Sequence, residues 1–320
     1  MKIIIRIFAA IAAAASAQAF AQGYPNKPVH AVISFTPGSS TDIVGRVVTQ
    51  KLSEFWGQPV VAENRAGAGG SIGTAAVFRS DPDGYTLLID SSAHTITPWI
   101  YAHLPYDTAK DFTDVAPLAG QPNVLVVAPG SRYKSLKDLI DYAKANPGKV
   151  NFGSAGVGSG THLNLEKFKL ATGINVTHIP YKGTPEVVTN IIGGLVDCYW
   201  APISAGISFI NQDKLKALAV SGAKRSGQLP NVPTAAEAGV PGFDFTLWFG
   251  VWGPKGMPAD VVNKINADVR RALESADVKD RLAKLGNDTM IMSPSEFSAF
   301  VRKEMQDNER VVKAAGIKPQ

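Results

Sequence analysis

The sequence predicts an α/β protein of two domains, and three observations carry that expectation. Short β-rich apolar runs recur along the chain, and helical spacings of apolar residues follow several of them, the alternation expected of largely parallel sheets flanked by helices. Some of the strand-to-helix junctions are glycine-rich turns. The chain has 320 residues, more than one hydrophobic core covers, so two domains are expected.

The N-terminus carries Lys2 and Arg6, an apolar run from Ile7 to Ala15, and then Ala19-Phe20-Ala21. This reads as an export signal, residues 1–21, cleaved after Ala21 to release the chain into the periplasm. The run is shorter than the ~20 residues a spanning helix needs. Val29, Ala31, Ile33 and Phe35 then alternate as on a strand, and Ile43 to Phe55 follow a helical spacing that Gly57 ends. Tyr85–Asp90 and Asn123–Ala128 read as further strands, and Leu136–Ala145 as a helix opened by Ser135 and Asp138. Val150–Gly153, Val176–Ile179, Leu195–Trp200 and Leu215–Ser221 complete the strands of the middle third. After the run Phe245–Trp252 the chain turns mainly helical, over Pro258–Leu273 and Pro294–Val312, the latter opened by the capping box Ser293-Pro294-Ser295-Glu296. A helical tail after two α/β units fits a chain that starts in one lobe, crosses to a second and returns. The expected division is 22–123 for the first part of lobe one, 124–244 for lobe two, and 245–320 for the return.

Charge and cysteine content narrow the function. The chain has 32 Lys and Arg against 27 Asp and Glu, and setting aside Lys2 and Arg6 leaves a surplus of only three. No segment gathers basic residues with interleaved aromatics, which argues against a nucleic-acid partner. Cys198 is the only cysteine, so no internal disulfide forms, and its strand-like setting marks a buried structural thiol. The five histidines, His30, His94, His103, His162 and His178, show no metal-ligand spacing. Neither a metal nor a cofactor is expected.

Phe35-Thr36-Pro37-Gly38-Ser39-Ser40-Thr41-Asp42 lies between the first strand and its helix, where open α/β sheets bind ligands. Ser40 or Thr41 is placed to cap that helix, leaving free N–H groups and the positive dipole end towards a crevice. Asp42 suits the first helical turn, with Arg46 four residues on as partner. Gly153-Ser154-Ala155-Gly156-Val157-Gly158-Ser159-Gly160-Thr161-His162 repeats the arrangement in the second half. Two such loops, one per lobe, provide donors on both sides of a hinged cleft. Tyr181-Lys182-Gly183-Thr184 follows the next strand and should reach the same rim, offering the hydroxyls of Tyr181 and Thr184. The glycine-richest stretch, Asn64 to Gly73, lacks both the dinucleotide spacing and the P-loop lysine, and fits close helix packing or a backbone nest. Ser159 and His162 have no orienting acid between them, and no nucleophile elbow occurs. Trp99, Trp200, Trp248 and Phe249 line either the cleft or the core.

From Tyr24-Pro25-Asn26-Lys27-Pro28-Val29 through Pro37–Asp42, Gly57–Gly70, Pro82-Asp83-Gly84-Tyr85, Ser154–Ser159, Pro180–Gly183, Val232-Pro233-Thr234 and Ala314–Ile317, the chain resembles the Bug-type receptors, the extracytoplasmic binding proteins of tripartite tricarboxylate transporters. The resemblance implies a two-lobed type II periplasmic-binding-protein fold, each lobe a doubly wound α/β sheet, hinged around a central cleft. It further implies a monomer that is not an enzyme. The ligand expected on this resemblance is a small simple or aromatic carboxylic acid, held by loop N–H groups and delivered to membrane permease subunits, or else presented to a signalling partner by an exported sensor. Carried over by position, the first lobe contributes Pro37, Gly38, Ser39, Ser40, Thr41, Asp42, Ser91, Ser92 and His94. The second contributes Ser154, Ala155, Gly156, Gly158, Ser159, Thr161, His162, Tyr181, Gly183, Thr184, Trp200 and Ala201. Two positions depart from the family pattern. Ser39 stands where a second glycine is usual, and Ala201 where many relatives carry aspartate, which is expected to disfavour ligands bearing an ammonium group.

Overall fold

A computed structural model of the chain describes residues 23–319; the expected export signal lies outside the described residues. The first sheet is built around β1 (Val29–Ile33), which runs parallel to β2 (Val60–Asn64) on one side and to β3 (Thr86–Ser91) on the other. Next to β3 comes β9 (Thr246–Pro254), antiparallel, and then the first part of β4 (Phe112–Val127), with β10 (Asp288–Thr289) on its far side. The remainder of β4 enters a second sheet, where it pairs antiparallel with β7 (Cys198–Pro202) and β8 (Lys216–Val220). Parallel strands β5 (Asn151–Ser154) and β6 (Thr177–Pro180) complete that sheet. Strands β1, β2 and β3 of the first sheet and β5, β6 and β7 of the second are mutually parallel, as the sequence predicts, whereas β8 and β10 lie antiparallel on β4. The strands linking the sheets are antiparallel, because β4 leaves the first lobe and β9 returns to it side by side.

At 16 residues, β4 is far longer than the run Asn123–Ala128 legible in the sequence. Asp114, Pro117, Gly120 and Pro122 break the strand pattern, and the fold tolerates the prolines in two ways. Pro117 sits where the register against β9 shifts, and Pro122 forms the last pair of that ladder, where β4 changes sheets. Ser221 ties the crossing segments together there: its hydroxyl donates to the Phe245 carbonyl (2.7 Å) and accepts the Asn123 N–H (2.8 Å). Its backbone also bonds Asn123 and Phe245 at 2.8 Å each.

The helices follow their caps. Helix α1 (Ser40–Trp56) begins at the Ser39 cap and ends at Gly57, whose φ of 59° is the left-handed stop. Helices α2 (Ser71–Phe78) and α3 (Ala93–Ile100) complete the opening part of the first lobe. The capping box of Ser135 and Asp138 opens α4 (Leu136–Ala145), and α5 (Gly160–Thr172), α6 (Thr184–Ile192) and α7 (Ile203–Asn211) cover the second sheet. The tail consists of α8 (Ala259–Glu274), α9 (Ala276–Lys284) and α10 (Pro294–Ala314), the last opened by the expected box of Ser293 and Glu296. Phe297 and Val301 of α10 pack on Trp248 and Trp252 of β9. The indole N–H groups of those tryptophans donate to Glu304 and Asp114 at 2.8 Å each, which satisfies their polar ends within an apolar setting. No helix among the described residues is long and apolar enough to cross a membrane.

Candidate ligand-binding site

Two loops, one from each lobe, meet with nearly superposable geometry. In the first, Gly38 takes φ 78° and Ser39 caps α1 at φ −70°, ψ 161°. In the second, Gly158 takes φ 81° and Ser159 caps α5 at φ −71°, ψ 160°. Each serine N–H donates to the carbonyl three residues back, Thr36 or Gly156, and each serine hydroxyl accepts from the N–H three residues on, Asp42 or His162. The side chains of those last residues close the loops in turn. Asp42 Oδ2 accepts the Gly38 N–H at 2.9 Å, and His162 Nδ1 accepts the Gly158 N–H at 3.3 Å.

The consequence lies at the next two positions. The N–H groups of Ser40 and Thr41 in one lobe, and of Gly160 and Thr161 in the other, are first-turn helix donors without a protein acceptor among the described residues. Both helix dipoles add positive potential at the same place. Where the first loop carries Ser40, the second carries Gly160, and a Cβ there would lie 2.4 Å from Leu247 Cδ1 and 2.7 Å from Ser92 Oγ, so a side chain at this position would displace both.

A cavity of about 20 Å³, room for about one water-sized group, lies between these loops. It is lined by Phe35, Ser39, Ser40, Thr41, Ser91, Ala155, Ser159, Gly160, Thr161, Thr184, Pro202 and Leu247, with no charged side chain in the lining. Contacts between the lobes show why it is small. The Tyr101 hydroxyl donates to the Val157 carbonyl at 3.0 Å. Gly69, in the glycine-rich stretch, comes so close to the other lobe that a Cβ would lie 2.3 Å from that same carbonyl. The stretch therefore serves close packing at the lobe contact. The Oγ atoms of Thr36 and Ser92 are buried without a hydrogen-bond partner among the described residues. A larger groove of about 610 Å³ lies by the crossing strands, and none of its lining residues opens a helix.

Of the sequence-predicted residues, the structure brings Ser39, Ser40, Thr41, Ser91, Ala155, Ser159, Thr161 and Thr184 to the cavity. Asp42, Gly38, Gly158 and His162 shape the loops from behind. Ser154 does the same, its hydroxyl bonded to His178 Nε2 (2.6 Å) and the Gly156 N–H (3.1 Å). Pro37, Ser92, Gly183 and Tyr181 stand outside the lining. Three placements correct the sequence reading. His94 is buried against Phe112 and Trp252, and burial pushes its imidazole down to about 3. Trp200 is in the core against Phe168 and Phe243. Ala201 alternates onto the opposite face, packing with Val124 and Tyr199, so this position gives no ground for a preference among ligand classes. Trp248 and Phe249 are core residues too.

Sequence reasoning missed Phe35, Gly160, Pro202 and Leu247 as wall residues. Phe35 and Gly160 lie within the loops already singled out and Pro202 one residue past Ala201, whereas Leu247 reaches the site only because β9 pairs with β4, opposite Gln121. It missed Tyr199 as well, whose buried hydroxyl lies 3.0 Å from Thr184 Oγ1 and supports the wall from beneath.

His162 and His178 stack at 4.4 Å, and burial holds them down to about 3 and about 4. The His162 ring meets the Gly158 N–H, while only its backbone meets Ser159. Burial likewise raises Cys198 well above the usual thiol range. Among the described residues no group of three or more His, Cys, Asp or Glu is placed to hold a metal ion.

The family profile described as "Tripartite tricarboxylate transporter family receptor" matches residues 44–317. The chain belongs to this family. Among its relatives, Protein BugT of Bordetella pertussis is 38% identical over 317 residues, covering 98% of this chain and 97% of that protein. A solved R. palustris protein, Rpa4515 with adipate, is 35% identical with a TM-score of 0.90, covering 93% of this chain and 100% of the other. MatC from Rhodopseudomonas palustris, solved with bound malate, is 32% identical with a TM-score of 0.85, covering 90% of this chain and 100% of MatC. The fold is thus that of the Bug-type periplasmic solute-binding receptors.

Proposed function

We propose that this receptor captures a small carboxylic acid, simple or aromatic, between its lobes and delivers it to the permease subunits of a tripartite tricarboxylate-type transporter. The observation that carries the reading is the pair of matching helix starts, one per lobe, aiming the N–H groups of Ser40, Thr41, Gly160 and Thr161 at one uncharged cavity. Micromolar affinity requires about 8 kcal/mol. Charge-assisted hydrogen bonds contribute roughly 1.5–3 kcal/mol each, so four such N–H groups with the surrounding hydroxyls suffice after ordering costs. Phe35, Pro202 and Leu247 offer apolar surface to the rest of the acid.

Lobe closure expels water and strengthens each of these bonds, so the ligand favours the closed form through its differential affinity, and that form is what the permease reads. The reading includes a monomeric binding protein without turnover, exported and cleaved after Ala21, with lobes divided as 22–123 plus 245–320 and 124–244. That adipate and malate occupy similar proteins supports the ligand class. A thermal-shift screen of mono-, di- and tricarboxylates, aromatic acids and amino acids tests it: at least one carboxylate should raise the melting temperature, and no shift with any of them would refute the reading.

A further inference from the structure

Asp90 is the penultimate residue of β3, immediately before Ser91, a wall residue of the cleft, and is 1% exposed. Its carboxyl group meets only neutral donors. Oδ1 accepts the Ser34 hydroxyl at 2.5 Å and the Ser91 N–H at 2.7 Å, and Oδ2 lies 3.3 Å from Thr74 Oγ1. No cation pairs with it among the described residues. On the elements packed around it, β1, β9, α2, α3 and the segment after α3, the titratable neighbours are Tyr106 and His94, the first a phenol held neutral and the second an imidazole held neutral by burial; β9, which pairs with Asp90 at Gly250, carries no titratable side chain. Asp42, on α1 behind the same wall, is already engaged by Arg46, Asn64 and the Gly38 N–H.

The Thr74 hydroxyl is also 3.1 Å from the Gly70 carbonyl, to which it is able to give its single proton. Its lone pair then faces Asp90 Oδ2 as an acceptor. The pocket around Asp90 therefore satisfies a protonated carboxyl group completely, with Oδ2–H donating to Thr74 and Oδ1 keeping its two donors. An ionised Asp90 is satisfied only if Thr74 turns from Gly70.

We propose that Asp90 takes up one proton from solvent when an anionic ligand closes the cleft, so that capture is proton-linked and acids of low charge are favoured. This rests on the carboxylate reading of the site. A ligand anion beside Ser91 adds a second negative charge to a region shielded from water and without a cation, and the carboxyl group already housed in a proton-accepting arrangement neutralises first. Burial without a counter-charge already raises the Asp90 carboxyl to about 7, so the proton exchange falls near neutral pH.

The test is calorimetric titration of the mature protein with adipate and with malate, each in phosphate and in Tris at about pH 7.5. The difference in enthalpy between buffers should report uptake of about 0.5 to 0.75 proton per ligand, and affinity should weaken about tenfold between about pH 6 and pH 9. Asp90→Asn should bind with the same enthalpy in both buffers. In the wild-type protein, infrared difference spectra should gain a protonated-carboxyl band on ligand addition, a readout that stands even if the variant does not fold. Binding with identical enthalpies in both buffers and no such band overturns the proposal while leaving the site reading in place. Binding of neither acid overturns the site reading, and the proposal with it.

Discussion

Asp90 also makes a prediction that needs no ligand. In the unfolded chain its carboxyl titrates near the ordinary aspartate value of 3.8, and in the fold burial raises it to about 7. Below about pH 4 both states are protonated and the residue contributes no pH dependence. Between about 4 and 7 the native state holds a proton that the unfolded state has released, so stability falls as pH rises, and above about 7 the loss is complete. A difference of about 3 units at 1.36 kcal/mol each sets an upper bound of about 4 kcal/mol. Asp90→Asn keeps the shape and removes the titration, although its amide must find an acceptor, with the Thr74 hydroxyl nearest. Urea unfolding of both proteins at pH 5, 6, 7 and 8 measures the effect. The difference in unfolding free energy should move in favour of the variant by about 2–3 kcal/mol across the series, and a difference independent of pH would refute the placement of an unpaired carboxyl at Asp90.

The histidine pair acts in the opposite direction: with folded values held down to about 3 and 4, the unfolded chain binds protons first as pH falls below about 6.5. Acidification should therefore cost stability between about pH 6.5 and 4, and His178→Phe, which keeps a ring against His162, should flatten that limb in urea titrations. Gly160→Ala places a methyl group against Leu247 and Ser92, so ligand affinity should drop by about tenfold or more, with a smaller loss in the melting temperature of the ligand-free protein. Ser221→Ala removes both hydroxyl bonds at the crossing strands and leaves the buried Asn123 N–H unpaired, which should cost about 1–3 kcal/mol in chemical unfolding.

Much of this arrangement was legible in the residues. The loops around Gly38 and Gly158 announce themselves as glycine-rich turns that open helices, but the cap of the first helix falls on Ser39, one residue before the Ser40 or Thr41 that the sequence suggests, and Ser159 caps the second in the same way. Gly57, Ser135 and Ser293 mark helix boundaries locally as well. What depends on pairing between distant strands was hidden. Nothing local distinguishes Leu247 from its core neighbours until β9 is set beside β4. Ala201 and Pro202 are adjacent, yet strand alternation sends one to the core and the other to the cleft, and the register that decides this belongs to β4. The first half of β4 was masked by prolines that only a change of sheet makes acceptable. Asp90 looked like an ordinary strand end, and its isolation from any cation emerges only when β1, α2 and β3 are assembled.

If backbone donors from both lobes hold one carboxylate, amide resonances read during titration with the acid that gives the largest thermal shift should report it. The N–H signals of Ser40, Thr41, Gly160 and Thr161 should move together and downfield, in both lobes and with one dissociation constant. Shifts confined to one lobe, or centred on the groove beside the crossing strands, would contradict a carboxylate held by both lobes.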